Sequence, residues 1–314
     1  MTSDPADYDN HPMFFPDKYP LDTLARRQLS DTIHRWLWTG VTGGLVSGTS
    51  RVGKTIAARY LANVLHTRGK AQVPGVYVSM GPTDMGTIAA AYRTLCDQVG
   101  LATRGQTAVD LANSFVHHMA DLATEAGSRR IVLFADEMQA LNPRQFEAFA
   151  HIYNLLLEFD IALMVVFLGN DPECWELVED IEQPNYAHIR GRFFTQGCRY
   201  LGLTSVEEVR YCLAQYDKLR YPESGPTYVG FFLPDAVASG WQIAALSRDI
   251  WRVFLPYKKQ YHLDSWPMQY FASAITVLVT DFLPHYGVDA FDDDMMDECI
   301  RVSGLVPSLV RPAT

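Results

Sequence analysis

Residues 48–55 read Gly48-Thr49-Ser50-Arg51-Val52-Gly53-Lys54-Thr55, a complete G-x-x-x-x-G-K-T segment. No other stretch constrains the fold as strongly, because this pattern works only between a strand and a helix. Its glycines let the backbone curl into a concave loop whose N–H groups face phosphate oxygens. Lys54 reaches β- and γ-phosphates, and the Thr55 hydroxyl is suited to hold Mg²⁺. The flanks have the required character. Gly44-Leu45-Val46 precedes the loop, and a helix-forming run through Ile56, Ala57, Ala58, Tyr60, Leu61, Ala62 and Leu65 follows it. The amino end of that helix adds its dipole and unpaired N–H groups to an anion site. All eight loop residues are therefore candidate contacts for a nucleoside triphosphate.

The rest of the first two thirds repeats the strand–helix alternation. Strands are expected over 73–80, 131–135 and 161–168, and helices over 22–38 (with Asp22 as cap), 83–99, 106–126 and 143–159. The strands are continuous apolar runs, which suits a parallel sheet covered on both faces. After residue 204 the pattern is helical: 205–218, 233–239, 241–254, 265–282 and 289–302. The expected organisation is an arm at 1–20, an α/β core at 21–204, a smaller helical lid at 205–303 and an extended tail at 304–314. Met13, Phe14 and Phe15 in the arm are suited to docking on a core.

Composition narrows the function. The 314-residue chain carries a formal net charge of −10, which argues against non-specific nucleic-acid binding but leaves room for a local basic patch. Cys96, Cys174, Cys198, Cys212 and Cys299 form no C-x-x-C pair and no zinc-spaced set, so they read as mostly buried free thiols in a reducing compartment. The acidic start lacks an apolar leader, and the most apolar stretches, 161–168 and 271–283, are too short to span a bilayer. A cytoplasmic, membrane-free protein is expected.

Further candidate residues surround the loop. Asp136-Glu137 follows the buried run Ile131-Val132-Leu133-Phe134, the Walker B pattern. Asp136 is expected to hold Mg²⁺ and Glu137 to polarise an attacking water. Asn170 ends the next strand, where ligands gather on open α/β sheets, and reads both as a water-orienting group and as a turn residue in Gly169-Asn170-Asp171-Pro172. In Ile189-Arg190-Gly191-Arg192-Phe193, an arginine could neutralise a neighbouring subunit's phosphoryl group. Arg192 is the first choice and Arg190 the second; a plain surface pair is the alternative.

Taken in order, GTSRVGKT, IVLFADE, LGND and RGRF resemble the AAA+ ATPases. Within that class, Ser50-Arg51-Val52-Gly53-Lys54-Thr55 is similar to the loop of the TnsC/TniB transposition regulators. So are Asp136-Glu137-Met138-Gln139 with Leu141, Pro143 and Phe146, Leu168-Gly169-Asn170-Asp171, and Ser239-Gly240-Trp241-Gln242-Ile243 with Leu246. The resemblance spans about residues 43–255. It departs in placing Asn170 where threonine is usual and Met138 where alanine is usual. It also lacks an arginine directly after Gly240, for which Arg248 is a candidate substitute.

The resemblance implies an ATP- and Mg²⁺-dependent ATPase that assembles as a ring or helical filament on duplex DNA. It also implies a link from a TniQ-type target selector to a DDE transposase, with hydrolysis driving disassembly. It further marks Arg104, in Thr103-Arg104-Gly105, as a contact to the phosphate backbone, with Lys70, Arg129 and Arg130 as weaker candidates. Few contacts per subunit suffice when a polymer multiplies them. The alternative is another AAA+ switch: helicase-loader-like, secretion-associated, or a defence or signalling ATPase. The acidic cluster Asp292-Asp293-Asp294 reads as a helix amino end, where negative charge is favoured.

Overall fold

The computed structural model describes residues 8–81 and 86–309. Residues 1–7 of the expected arm, the expected helix start at Thr83 and residues 310–314 of the expected tail lie outside the described residues.

The described residues fall into two compact units, one drawn from 28–50 and 54–200, the other from 8–27, 51–53 and 201–309. In the first, α1 (Leu24–Thr39, which begins in the other unit) leads to β1 (Gly43–Gly48), α2 (Lys54–Val64), β2 (Gly75–Ser79), α3 (Ile88–Gln98) and α4 (Ala108–Glu125). Then follow β3 (Arg130–Asp136), α5 (Phe146–Glu158), β4 (Ala162–Asn170), α6 (Glu173–Ile181), α7 (Ala187–Phe193) and β5 (Gly197–Arg199). The strands lie in the order β2-β3-β4-β1-β5, every neighbouring pair parallel. Every residue of β1 is buried, as are most of β3 and β4, as a sheet covered on both faces requires. Leu133, Val165 and Phe167 pack with Phe115 of α4 and Phe146 and Phe149 of α5 in one apolar cluster.

Local chemistry fixes the helix starts, and several differ from the sequence expectation. Thr87 caps α3, and Thr107 with Asp110 forms a capping box on α4, each satisfying N–H groups that the first turn leaves unpaired. The backbone N–H of Arg26 donates to Thr23 Oγ1, so Thr23 rather than Asp22 caps α1. Asp22 instead pairs with Arg26 and Arg27 and accepts from Tyr211. The helix expected over 143–159 opens with a separate 3-10 turn, Pro143–Gln145. Strand β5 and helices α6 and α7 are additions to the expected pattern.

The second unit is helical: α8 (Val206–Tyr216), α9 (Tyr228–Phe232), α10 (Pro234–Ala238), α11 (Ser247–Gln260), α12 (Met268–Val277), α13 (Leu283–Tyr286), α14 (Asp293–Val302) and α15 (Leu305–Leu309). A π-helical turn, Leu278–Phe282, joins α12 to α13. Asp292 caps α14, so the acidic cluster occupies a helix amino end as expected. The tail is not wholly extended: α15 buries Leu305 in this unit's core, with Leu309 packed partly against it. Trp266 stacks on Phe254 at 4.3 Å between centroids, with Phe271 against its edge.

The described part of the arm docks here. Met13 is buried in the helical core, Thr276 Oγ1 donates to its carbonyl, and Phe15 stays exposed. His11 is fully buried, its ring 4.7–5.2 Å from those of Phe232, Phe231, Tyr228 and Tyr221. Its Nδ1 accepts from the Met13 N–H, and Nε2 has no hydrogen-bond partner. Burial lowers the His11 pKa to about 4, below the ~6.5 of an unfolded chain. A base with a depressed folded pKa binds fewer protons folded than unfolded. Its stabilising effect is whole above pH ~6.5 and drains away as pH falls toward 4. Between pH 7 and 5 the cost is about 2 kcal/mol from this group alone. Thermal melts of His11→Phe should therefore show a smaller acid destabilisation than wild type by about that amount; equal losses in both would assign the acid sensitivity elsewhere.

Candidate functional site

Parallel strands deliver their carboxyl ends to one edge, and the register aligns them there: Gly48 opposite Asn170, and Ser79 opposite Asp136. The 48–55 segment runs from β1 into α2, as its pattern demands. Gly48 cannot be larger, because a Cβ there would lie 2.2 Å from the Tyr200 carbonyl oxygen. Gly53 has φ 106°, a conformation open to glycine. Arg51, at φ 65°, adopts the left-handed conformation at a cost of roughly 1 kcal/mol for a residue with a side chain.

The Lys54 ammonium is buried and donates to Gly48 O at 2.7 Å, Thr49 O at 2.8 Å and Asn170 Oδ1 at 2.9 Å. Burial lowers its pKa, while Asp136, Asp171 and Glu137 push it back up. Asp136, also buried, accepts three hydrogen bonds: Oδ1 from the Glu137 N–H at 2.9 Å, and Oδ2 from Thr55 Oγ1 at 2.6 Å and from the Tyr77 hydroxyl at 2.8 Å. Burial first, and then the Asp136 charge, raise the Tyr77 pKa, so the phenol stays a donor. The Arg59 guanidinium lies over the Tyr77 ring at 4.7 Å.

Glu137 also has a left-handed backbone, φ 58°, and strained residues persist where their surroundings hold them. Here two amides do so. Asn170 Nδ2 donates to Glu137 Oε2 at 3.2 Å, Gln139 Nε2 donates to the same oxygen, and the Asn170 N–H donates to Gln139 Oε1 at 3.2 Å. Lys54, Asn170, Glu137 and Gln139 thus form one connected chain of hydrogen bonds. The sequence pattern singles out the first three but neither Gln139 nor Tyr77, whose roles arise through space. The Thr55 hydroxyl and Asp136 carboxylate are hard oxygen donors side by side at the loop, a set that fits Mg²⁺ with most of its waters kept.

The remaining candidates lie elsewhere. Arg192 is half-buried, its guanidinium 4.5 Å from the Tyr153 ring centroid and donating to Ala150 O at 3.4 Å. Arg190 is exposed and donates to Glu182 O. Arg104 is exposed in the α3–α4 connection, beside Gly105 at φ 77°. Arg129 and Arg130 stand at the amino end of β3, the opposite end from Asp136. Arg130 donates to Leu37 O of α1, and next to it Trp38 Nε1 donates to His66 O, with Lys70 Nζ 3.4 Å from His66 Nε2. Arg130 and Lys70 thus lie near the end of α1, apart from the loop. Arg248 is exposed on α11.

Residues 40–178 match the family model described as an AAA domain. No curated protein matches the chain. Among solved structures, the chain is similar to the ORC2 protein of Aeropyrum pernix in its ADPNP–ADP complexes, with 14% identity over 88% of this chain and a TM-score of 0.57. It spans 66% of the ORC2 chain. It is similar as well to a Walker-type ATPase of Pyrococcus abyssi, with 15% identity, 90% and 73% coverage and a TM-score of 0.53. Among the described residues, no helix is long and apolar enough to cross a membrane. At these identities the likeness carries the fold. The chain has the AAA+ P-loop fold, continued by a helical C-terminal region.

Proposed function

We propose that the protein is an ATP-hydrolysing AAA+ switch and that residues 48–55, Asp136, Glu137 and Asn170 are its hydrolytic site. The observation that carries this is the bonded chain Lys54–Asn170–Glu137: a cation for the phosphates, an amide at the neighbouring strand end and a carboxylate fixed beside both. Lys54 and the loop N–H groups would take the phosphates, Thr55 and Asp136 would hold Mg²⁺, and Glu137 would accept a proton from, or orient, the attacking water. The magnesium ion would supply charge neutralisation between the phosphates.

Arg192 is proposed as the arginine acting on a neighbouring subunit's nucleotide. In that role it must leave Tyr153, which makes assembly its trigger. Arg192→Ala should slow hydrolysis by about 10³-fold while single subunits bind ATP normally. Near-wild-type turnover in Arg192→Ala, with loss in Arg190→Ala, would move the role to Arg190.

The finer reading is a regulator of DNA transposition, self-assembled on duplex DNA and linking a TniQ-type selector to a DDE transposase. Its support is the similarity of the loop, Walker B, Leu168–Asp171 and Ser239–Leu246 segments to TnsC/TniB proteins, together with exposed Arg104 and the basic residues near the end of α1. Filter binding of duplex DNA with a non-hydrolysable ATP analogue across a salt series tests it. Nucleotide-dependent retention that falls steeply with salt is expected. No retention in low salt would remove the DNA reading and leave the ATPase reading standing.

A further inference from the structure

Arg51 occupies a position in the phosphate loop whose backbone suits glycine, at φ 65°. Its contacts offset the unfavourable conformation. Arg51 Nη1 donates to Gln269 Oε1 at 2.9 Å, and the guanidinium lies 5.7 Å from the Tyr270 ring centroid. The main chain joins in: the Gln269 N–H donates to Arg51 O at 3.2 Å. Two consecutive residues at the start of α12 therefore grip one loop residue by its side chain and its carbonyl. Tyr270 is buried in the helical core, which makes the grip a fixed one, and Arg51–Gly53 belongs to the same compact unit as residues 201–309.

The carbonyl contact has a directional consequence. The Arg51 C=O and the Val52 N–H belong to one planar trans peptide and point in opposite directions. A donor fixed on that carbonyl fixes where the Val52 N–H points. Loop N–H groups are what bind phosphate in such a segment.

We propose that Gln269 and Tyr270 are positioning residues for the phosphate loop, and that Arg51 is the strap through which occupancy of the loop by a nucleotide's phosphates is communicated to α12. This rests on the proposed binding of ATP at residues 48–55. A plain surface pair between Arg51 and Gln269 would contribute little; the strained backbone, the ring and the carbonyl bond together are what single this pair out.

The test uses the full chain with fluorescent mant-ATP titrations and hydrogen–deuterium exchange over peptides 48–55 and 266–277, with and without nucleotide. Wild type is expected to bind and to slow exchange in both peptides. Gln269→Ala and Arg51→Gly should bind about 2- to 10-fold more weakly, the range for losing one net hydrogen bond. Both keep the backbone bond to Arg51 O but lose the side-chain strap, so the slowing at 266–277 should shrink clearly while that at 48–55 is kept. Gln269→Glu, whose carboxylate still accepts from Arg51, should retain the response. Arg51→Gly should melt no lower than wild type, since glycine accepts this φ without strain. Full slowing at 266–277 in Gln269→Ala, or its loss in Gln269→Glu, would overturn the inference alone. Failure of wild type to bind mant-ATP would overturn the function and the inference together.

Discussion

Lys54→Ala should lower affinity for ATP by at least about 100-fold, because the substitution removes the cation of the proposed phosphate site. The buried ammonium is the cation of the loop, and it also braces the loop through Gly48 O and Thr49 O. With nucleotide bound, two of the three ammonium N–H groups would turn from Gly48 O and Thr49 O to phosphate oxygens; hydrogen bonds from charged groups are worth about 1.5–3 kcal/mol each, so losing those two accounts for about 100-fold or more. The third bond, to Asn170 Oδ1, ties the loop to β4, so the loss extends to the group bonded to Glu137. Isothermal titration with a non-hydrolysable analogue measures it. Affinity within a few-fold of wild type would mean that phosphates do not lie against Lys54. The fold should survive, because the substitution removes no residue of the apolar core.

Glu137→Gln should give the complementary result, hydrolysis slowed by about 10²–10⁴-fold with ATP affinity nearly unchanged. The exchange preserves shape and removes only the charge that accepts a proton. It also disturbs the clamp, since Asn170 Nδ2 and Gln139 Nε2 both donate to one carboxylate oxygen and an amide presents one acceptor and one donor edge. Under the DNA reading, the variant held in its ATP state should form a stronger duplex complex. Single-turnover phosphate release separates chemistry from binding. Wild-type rates would remove Glu137 from the chemistry and leave Asn170 and the loop as a binding site only.

The loop, the Asp136-Glu137 pair and Asn170 are legible in the sequence because each is a local pattern at the end of an apolar strand. The parallel register then aligns them. Through-space chemistry is not legible in the same way. Tyr77 reads as an ordinary strand tyrosine until β2 pairs with β3 and brings its hydroxyl to Asp136. Gln139 reads only as a residue of the segment after Asp136-Glu137, with no role of its own, until Asn170 arrives from β4. Gln269 lies 218 residues from Arg51 along the chain, and no spacing rule joins them. Strand β5 has three residues, too few for a periodic signal. At the start of α1, aspartate and threonine are both good caps, so sequence alone points one residue early; Asp22 is drawn off by Arg26, Arg27 and Tyr211. The tail reads as extended because Pro307 and Pro312 outweigh Leu305 and Leu309, which α15 packs on the helical core.

Whether the bonded chain Lys54–Asn170–Glu137 is a hydrolytic site is decided by phosphate release from ATP with Mg²⁺ and duplex DNA present, measured side by side for wild type, Glu137→Gln and Lys54→Ala. Wild type should turn over and EDTA should abolish that turnover. Lys54→Ala should release nothing above background, and Glu137→Gln should keep residual turnover while ATP remains bound. Wild-type release no greater than that of Lys54→Ala would contradict the assignment.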